Sequence, residues 1–136
     1  MKALSLYQPH ATAMAMGIKK VETRSWYTSY RGDLLIHAAK RFPEEYKQFA
    51  ECEVALGRIP WHLPFGQLVA IVTVIDVRKT EELQYDISAL ERLYGDYSFG
   101  RFGFVTDNLR TFKEPIPYRG HQGFFEVDDH LLEGAL

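Results

Sequence analysis

Apolar and polar residues along this chain switch repeatedly between two periods. "ALSLY", Ala3 to Tyr7, reads as a short first strand. Pro9 suits a helix's first turn, and "HATAMAMG" supplies that helix, with Ala11, Met14 and Ala15 as its inward stripe. Gly17 suits the C-terminal cap. "KVETRSWYT" then alternates, so Glu22, Arg24 and Trp26 share one face and Val21, Thr23 and Ser25 the other. "RGDLLIHAAK" reads as the next strand, and the "TSYRG" between them predicts a hairpin.

Phe42, Tyr46, Phe49, Cys52 and Leu56 step at helical spacing, with Pro43 in the first turn and Gly57 at the end, which predicts a helix. "RIPWHLPFG" is a proline-stiffened loop. "QLVAIVTVIDV" is β-branched and apolar on both faces up to Asp76, the mark of a central, buried strand. Ile87, Leu90, Leu93 and Tyr94 predict a short helix capped by Asp86. "GRFGFVT" and "LRTFKEPIPY" read as two strands, the second demoted at its end by Pro115 and Pro117, and "GHQGFFEVD" as the last. Short strands with Gly and Pro turns and a few helices predict a β-barrel-centred α+β domain.

Composition narrows the class. The 136 residues suit one domain spanning 1–136, and 46% apolar with 25% charged residues is a globular balance. No run approaches a membrane span, the start lacks a signal-peptide pattern, and Cys52 is alone, so a cytoplasmic protein is expected. Cys52 is expected to be a buried, inert thiol. The net charge of −2 conceals +5 through Arg41 and −7 beyond it. Bulk charge therefore excludes coating of nucleic acid, but a local basic face in the first third can attract an anion or a strand.

Candidate chemistry collects in "GIKKVETRSW", Gly17 to Trp26. A lysine just past a helix-ending glycine can be aimed into a pocket, and Glu22 and Arg24 can pair. Trp26 or Tyr27 offers a ring for a base, while Lys19 or Arg24 offers charge for a phosphate. Gln8 and His10 flank Pro9 at a strand-to-helix junction, with Tyr7 beside them; Arg119, His121 and Gln122 precede the last strand. The histidines His10, His37, His62, His121 and His130 form no metal-ligand spacing, and nucleophile-elbow, Walker and dinucleotide motifs are absent, so neither metal nor cofactor is expected. Trp61 and Phe65 mark the apolar patch that a simple interaction domain would use.

The pattern G-x-K-x-x-E-x-R, met by Gly17, Lys19, Glu22 and Arg24, resembles the hallmark of the ASCH domain, a PUA-like family. "LSLYQPHA", "TRSWYTSYRGDLLIHAAK", "GRFGFVTDN" and "PIPYRGHQGFFEV" resemble its flanking blocks, so the likeness covers nearly the whole chain. The resemblance implies an α+β fold, a PUA-like small mixed β-barrel with two or three peripheral helices. It implies a cleft for RNA or a nucleotide, modified ones included, with no obligate protein partner. Gly17, Lys19, Glu22, Arg24, Trp26, Gln8, His10 and Tyr7 are the expected ligand-binding residues. The alternative it implies is a small hydrolase, a ribonuclease or an amidohydrolase on a modified nucleoside, with Lys19 and Glu22 catalytic. The amidohydrolase branch has threonine three residues after the motif lysine, where this chain has Glu22. Fold likeness alone does not choose between these.

Overall fold

The β-branched run Gln67–Lys79 forms β4, and the sheet is assembled around it. In chain order the elements are β1 (Lys2–Leu6), α1 (His10–Ala15), β2 (Val21–Arg24), β3 (Gly32–Ala38), α2 (Glu44–Ala55) and β4. They continue with α3 (Thr80–Leu83), α4 (Ala89–Leu93), β5 (Phe102–Pro117), β6 (Phe124–Glu126) and a 3-10 turn at Asp129–Leu132. This is a computed structural model, and it describes residues 1–136. The six strands form one mixed sheet in the order β2-β5-β4-β3-β1-β6, with β1 parallel to β3 and the other pairs antiparallel.

Burial on both faces explains the absence of simple alternation in β4. Val72 and Val74 join Leu4, Leu6, Leu34, Ile36 and Phe104 beneath Ala11 and Met14 of α1. Leu68 and Ile71 face the other way, onto Ala3, Leu35, Phe112 and Val127. Each such Leu, Ile or Phe contributes about 1.5–3 kcal/mol on burial, and together they fix which face of each strand is which.

Several expectations give way here. β2 and β3 do not form a hairpin: β2 pairs with β5, and β3 lies between β4 and β1. The chain between them carries Trp26 and Tyr30 onto the core instead of turning tightly. The two strands expected around Asn108 are one long strand, β5, because register shifts in the β4–β5 ladder absorb the irregular residues. Ser88, not Asp86, caps α4, its hydroxyl accepting from the Glu91 N–H. Cys52 is exposed and not buried as expected, because α2 turns Ala50 and Glu53 inward instead. Trp61 is 82% exposed, whereas Phe65 packs on Phe42. Four α-helices are present, α3 being the one without a sequence signal.

The expected barrel does not close. β2 and β6 are the two ends of the sheet, and no backbone ladder joins them. The bulges in β4 and β5 curl the sheet until its ends meet through side chains. Arg24 of β2 donates from Nη2 to the Ser5 carbonyl of β1 at 2.8 Å. Trp26 lies edge-on to Phe104 of β5 and Phe124 of β6, each at a centroid distance of 5.2 Å.

Gly17 ends α1 as expected. Its φ of +78° and the bonds Gly17 N–H to Met14 O and Ile18 N–H to Ala13 O form a Schellman turn. An L side chain there is strained by about 1–2 kcal/mol. Gly17→Ala is therefore expected to lower the melting temperature by roughly 3–6 °C in a thermal unfolding scan. An unchanged melting temperature would contradict this account of the turn.

Candidate functional site

The turn at Gly17 sends Lys19 inward. Glu91 of α4 holds the following backbone, accepting from the Lys20 N–H at 2.8 Å and the Val21 N–H at 3.3 Å. Lys19 is only 1% exposed; its Nζ donates to the Tyr94 carbonyl and lies 3.2 Å from Glu22 Oε1. Strand alternation puts Glu22 and Arg24 on one face, with Val21 and Thr23 buried behind. Glu22 Oε2 accepts from Arg24 Nε at 2.8 Å. A chain of charge therefore runs from Tyr94 through Lys19, Glu22 and Arg24 to Ser5. Burial pushes the Glu22 carboxyl up, but Lys19 and Arg24, helped by His10, outweigh it and hold the group below its ordinary range.

These residues floor an open cleft of about 1520 Å³. One wall is aromatic. His10 sits among Tyr46, Phe49 and Tyr94 at centroid distances of 5.6, 5.9 and 5.8 Å, and Tyr7 lies 4.9 Å from Tyr46. Burial, with Lys19 nearby, pushes the His10 imidazole down to about 4, so it is neutral at pH 7. The Tyr94 hydroxyl donates to Glu53 at 2.7 Å, tying this wall to α2. The lining also carries His37, Lys40, Arg41, Arg119, His121 and Gln122.

Of the residues expected from sequence, Tyr7, His10, Lys19, Glu22, Arg24 and Trp26 all line this one cleft. Trp26 reaches it from a bend beyond β2, and its ring is committed to Phe104 and Phe124. Gln8 and Gly17 do not line it. Gln8 is fully buried; it accepts from the Thr12 N–H and donates to Thr12 Oγ1 and the Pro64 carbonyl, bracing α1 against the loop. Gly17 acts through the turn it permits. Sequence reasoning missed Tyr46, Phe49, Tyr94, Ser5, His37, Lys40, Arg41 and Arg101 as lining residues. The spacing of Tyr46 and Phe49 on α2 was a legible signal, but spacing names a face and not its neighbour.

An α+β domain with a curled mixed sheet and a cleft floored by Lys19, Glu22 and Arg24, the lysine aimed by the turn at Gly17, is the class that fold and site define. The ASCH domain family model matches residues 4–115, and the chain belongs to that family. It is 30% identical over 138 residues to activating signal cointegrator 1 of Mus musculus and, equally, of Homo sapiens; each alignment covers 97% of this chain. The chain spans 23% of the length of those relatives. The fold is similar to the crystal structure of ASCH from Zymomonas mobilis, with a TM-score of 0.60 at 13% identity over 97% of this chain and 90% of that one. A mutant of that protein matches at a TM-score of 0.59 and 15% identity, over 97% of this chain and 91% of the other.

Two tests follow from the charges. Glu22→Gln leaves buried Lys19 without its carboxylate, and the expected loss of unfolding free energy is about 3 kcal/mol by denaturant titration. A loss under about 0.5 kcal/mol would mean that the pair is not buried in solution. The second concerns pH. His10 has a folded value below its ordinary 6.5, so its neutral form's contribution is complete above 6.5 and lost as pH falls towards about 4. That loss amounts to about 3 kcal/mol, and Glu22, also depressed, adds to it below its ordinary 4.5. His10→Phe is expected to reduce the slope between pH 6.5 and 4 in stability measurements, leaving the smaller part due to His37, whose buried imidazole is also held below its ordinary range; a slope identical to wild type would refute the assignment.

Proposed function

We propose that the cleft binds single-stranded RNA or a nucleotide, modified nucleotides included, and that the chain acts as a binding module in the cytoplasm. The observation that carries this reading is the meeting of an aromatic wall with a cationic floor and rim. Lys19, Arg24, Lys40, Arg41, Arg101 and Arg119 stand against three carboxylates, Glu22, Glu45 and Asp96. The acidic remainder of the chain is therefore locally reversed in the cleft, where charge steers an anion. Rings accept any base by stacking, and cations neutralise phosphates.

The roles divide by exposure. Lys19, buried and donating to both a carbonyl and a carboxylate, sets the electrostatics of the floor. Arg24, whose Nε and Nη2 are held by Glu22 and Ser5, presents the rest of its guanidinium to the cleft. Tyr46, half-buried against Tyr7, is the stacking partner we assign in place of Trp26, whose ring is committed to the core. The hydrolytic alternative gains no support from this arrangement, because Lys19 Nζ is already engaged on two sides and withdrawn from the surface.

Fluorescence anisotropy with a short single-stranded RNA at low salt tests the reading. Tyr46→Ala is expected to weaken binding by about 1–3 kcal/mol. Arg41→Ala, on an exposed residue, is expected to weaken it across sequences and to reduce the salt slope by about one. Absence of binding by the wild type, or affinity unchanged in both variants, would overturn the proposal. Turnover of RNA or of a modified nucleoside beyond one equivalent of protein would replace it with the hydrolytic one.

A further inference from the structure

The loop between β5 and β6 shares the cleft but none of the hallmark residues. Its backbone is unusually committed at one end and uncommitted in the middle. The Tyr118 N–H donates to the Gly66 carbonyl at 3.0 Å, and the Tyr118 carbonyl meets His37 Nε2 at 2.7 Å. A carbonyl only accepts, so Nε2 carries the ring proton; Nδ1 of the neutral ring then accepts from the Ser5 hydroxyl, 2.7 Å away. His37 is 1% exposed, and burial keeps its imidazole below the ordinary range, consistent with that neutral tautomer. Gly120 lies directly on this pair: a Cβ there would fall 2.5 Å from Ser5 Oγ and 2.7 Å from His37 Cε1. A buried dyad therefore sets the position of the loop.

Beyond Tyr118 the pattern changes. The backbone N–H groups of Arg119, Gly120, His121, Gln122 and Gly123 donate no hydrogen bond within the chain. All five residues line the cleft. Cations line the same cleft. Arg24 bonds the carbonyl of the same Ser5 that holds His37, and the Lys40 side chain lies against Gly66, which holds Tyr118. Arg41, Arg119 and His121 complete the rim, and His121 packs on Phe125 at 5.3 Å, next to His37. The carboxylates of the cleft, Glu22, Glu45 and Asp96, lie outside this loop, and Glu22 is neutralised by Lys19 and Arg24. Consecutive unpaired N–H groups in a cleft lined by guanidinium and ammonium groups are the chemistry of an anion site.

We propose that the Arg119–Gly123 loop, pinned by His37 and flanked by Arg24, Lys40 and Arg41, is a seat for a phosphate group of the cleft's ligand. The identity of that ligand rests on the nucleic-acid reading above; the seat itself does not. A base stacked on the Tyr46 wall and its phosphate on this loop would use both sides of the cleft at once. His37 is a positioning residue here, acting through the Tyr118 carbonyl.

Amide nitrogen–proton correlation spectra of the whole chain, titrated with inorganic phosphate against a chloride control of equal ionic strength, test the seat. Saturable shifts confined to the amides of 119–123 and their neighbours are expected. Arg119→Ala, on an exposed residue, is expected to weaken phosphate binding about tenfold with no change in melting temperature. Lys40→Ala combined with Arg41→Ala, also on exposed residues, is expected to weaken it severalfold. Shifts matched by chloride, centred elsewhere, or unaffected by both variants would overturn the seat. A parallel titration with a nucleoside monophosphate and a short single-stranded RNA separates the two proposals. Shifts at both the loop and the Tyr46 wall support the seat as the ligand's phosphate site. RNA that binds the wall and leaves the loop unshifted overturns that role, whereas phosphate shifts without RNA binding overturn the nucleic-acid reading and leave the seat standing.

Discussion

A lysine ammonium held at 1% exposure is the constraint around which this structure is arranged. Such a group is tolerated inside a protein only when its donors meet acceptors, and here the Tyr94 carbonyl and Glu22 supply them. Glu22 in turn needs a second cation to remain ionised in a half-desolvated place, and Arg24 provides it. Arg24 has donors to spare and reaches the Ser5 carbonyl across the open seam of the sheet. One buried charge thus propagates into a link from the end strand β2 to β1, beside the other end of a sheet that backbone hydrogen bonds do not close.

That link decides the shape of the cleft. The floor is rigid because every member of the charge chain is held by another. The aromatic side is set by α1, α2 and the residues after α4, tied together by the Tyr94–Glu53 bond. The far side is set by the 118–123 loop, positioned by His37. A fixed floor with two chemically different walls suits recognition of a ligand that has both a flat ring and a charge. Nucleotides have both, and the proposed division places the ring on one wall and the phosphate on the other.

Much of this was legible in the chain. The central β4, the helix ended by Gly17, and the common face of Glu22 and Arg24 followed from periodicity and cap chemistry, because burial and backbone geometry act locally there. The hallmark spacing drew Lys19 into the same site, and its inward aim followed from the turn. Strand pairing was not legible: nothing within β2 records that its partner is β5, about eighty residues on. The open seam was missed for the same reason. The spacing of Tyr46 and Phe49 marks a helix face without saying whether it meets a core or a cleft. At the strand-to-helix junction the Gln8 amide has its partners in Thr12 and the Pro64 carbonyl, which sequence alone does not reveal.

A crystal structure of the chain with a short single-stranded RNA tests the central claim most directly. The account predicts a nucleotide inside the cleft, its base against Tyr46 and Tyr7, and the Lys19–Glu22–Arg24 chain intact beneath it. RNA bound outside the cleft, or a complex in which Lys19 has left Glu22 to contact the ligand, would contradict it.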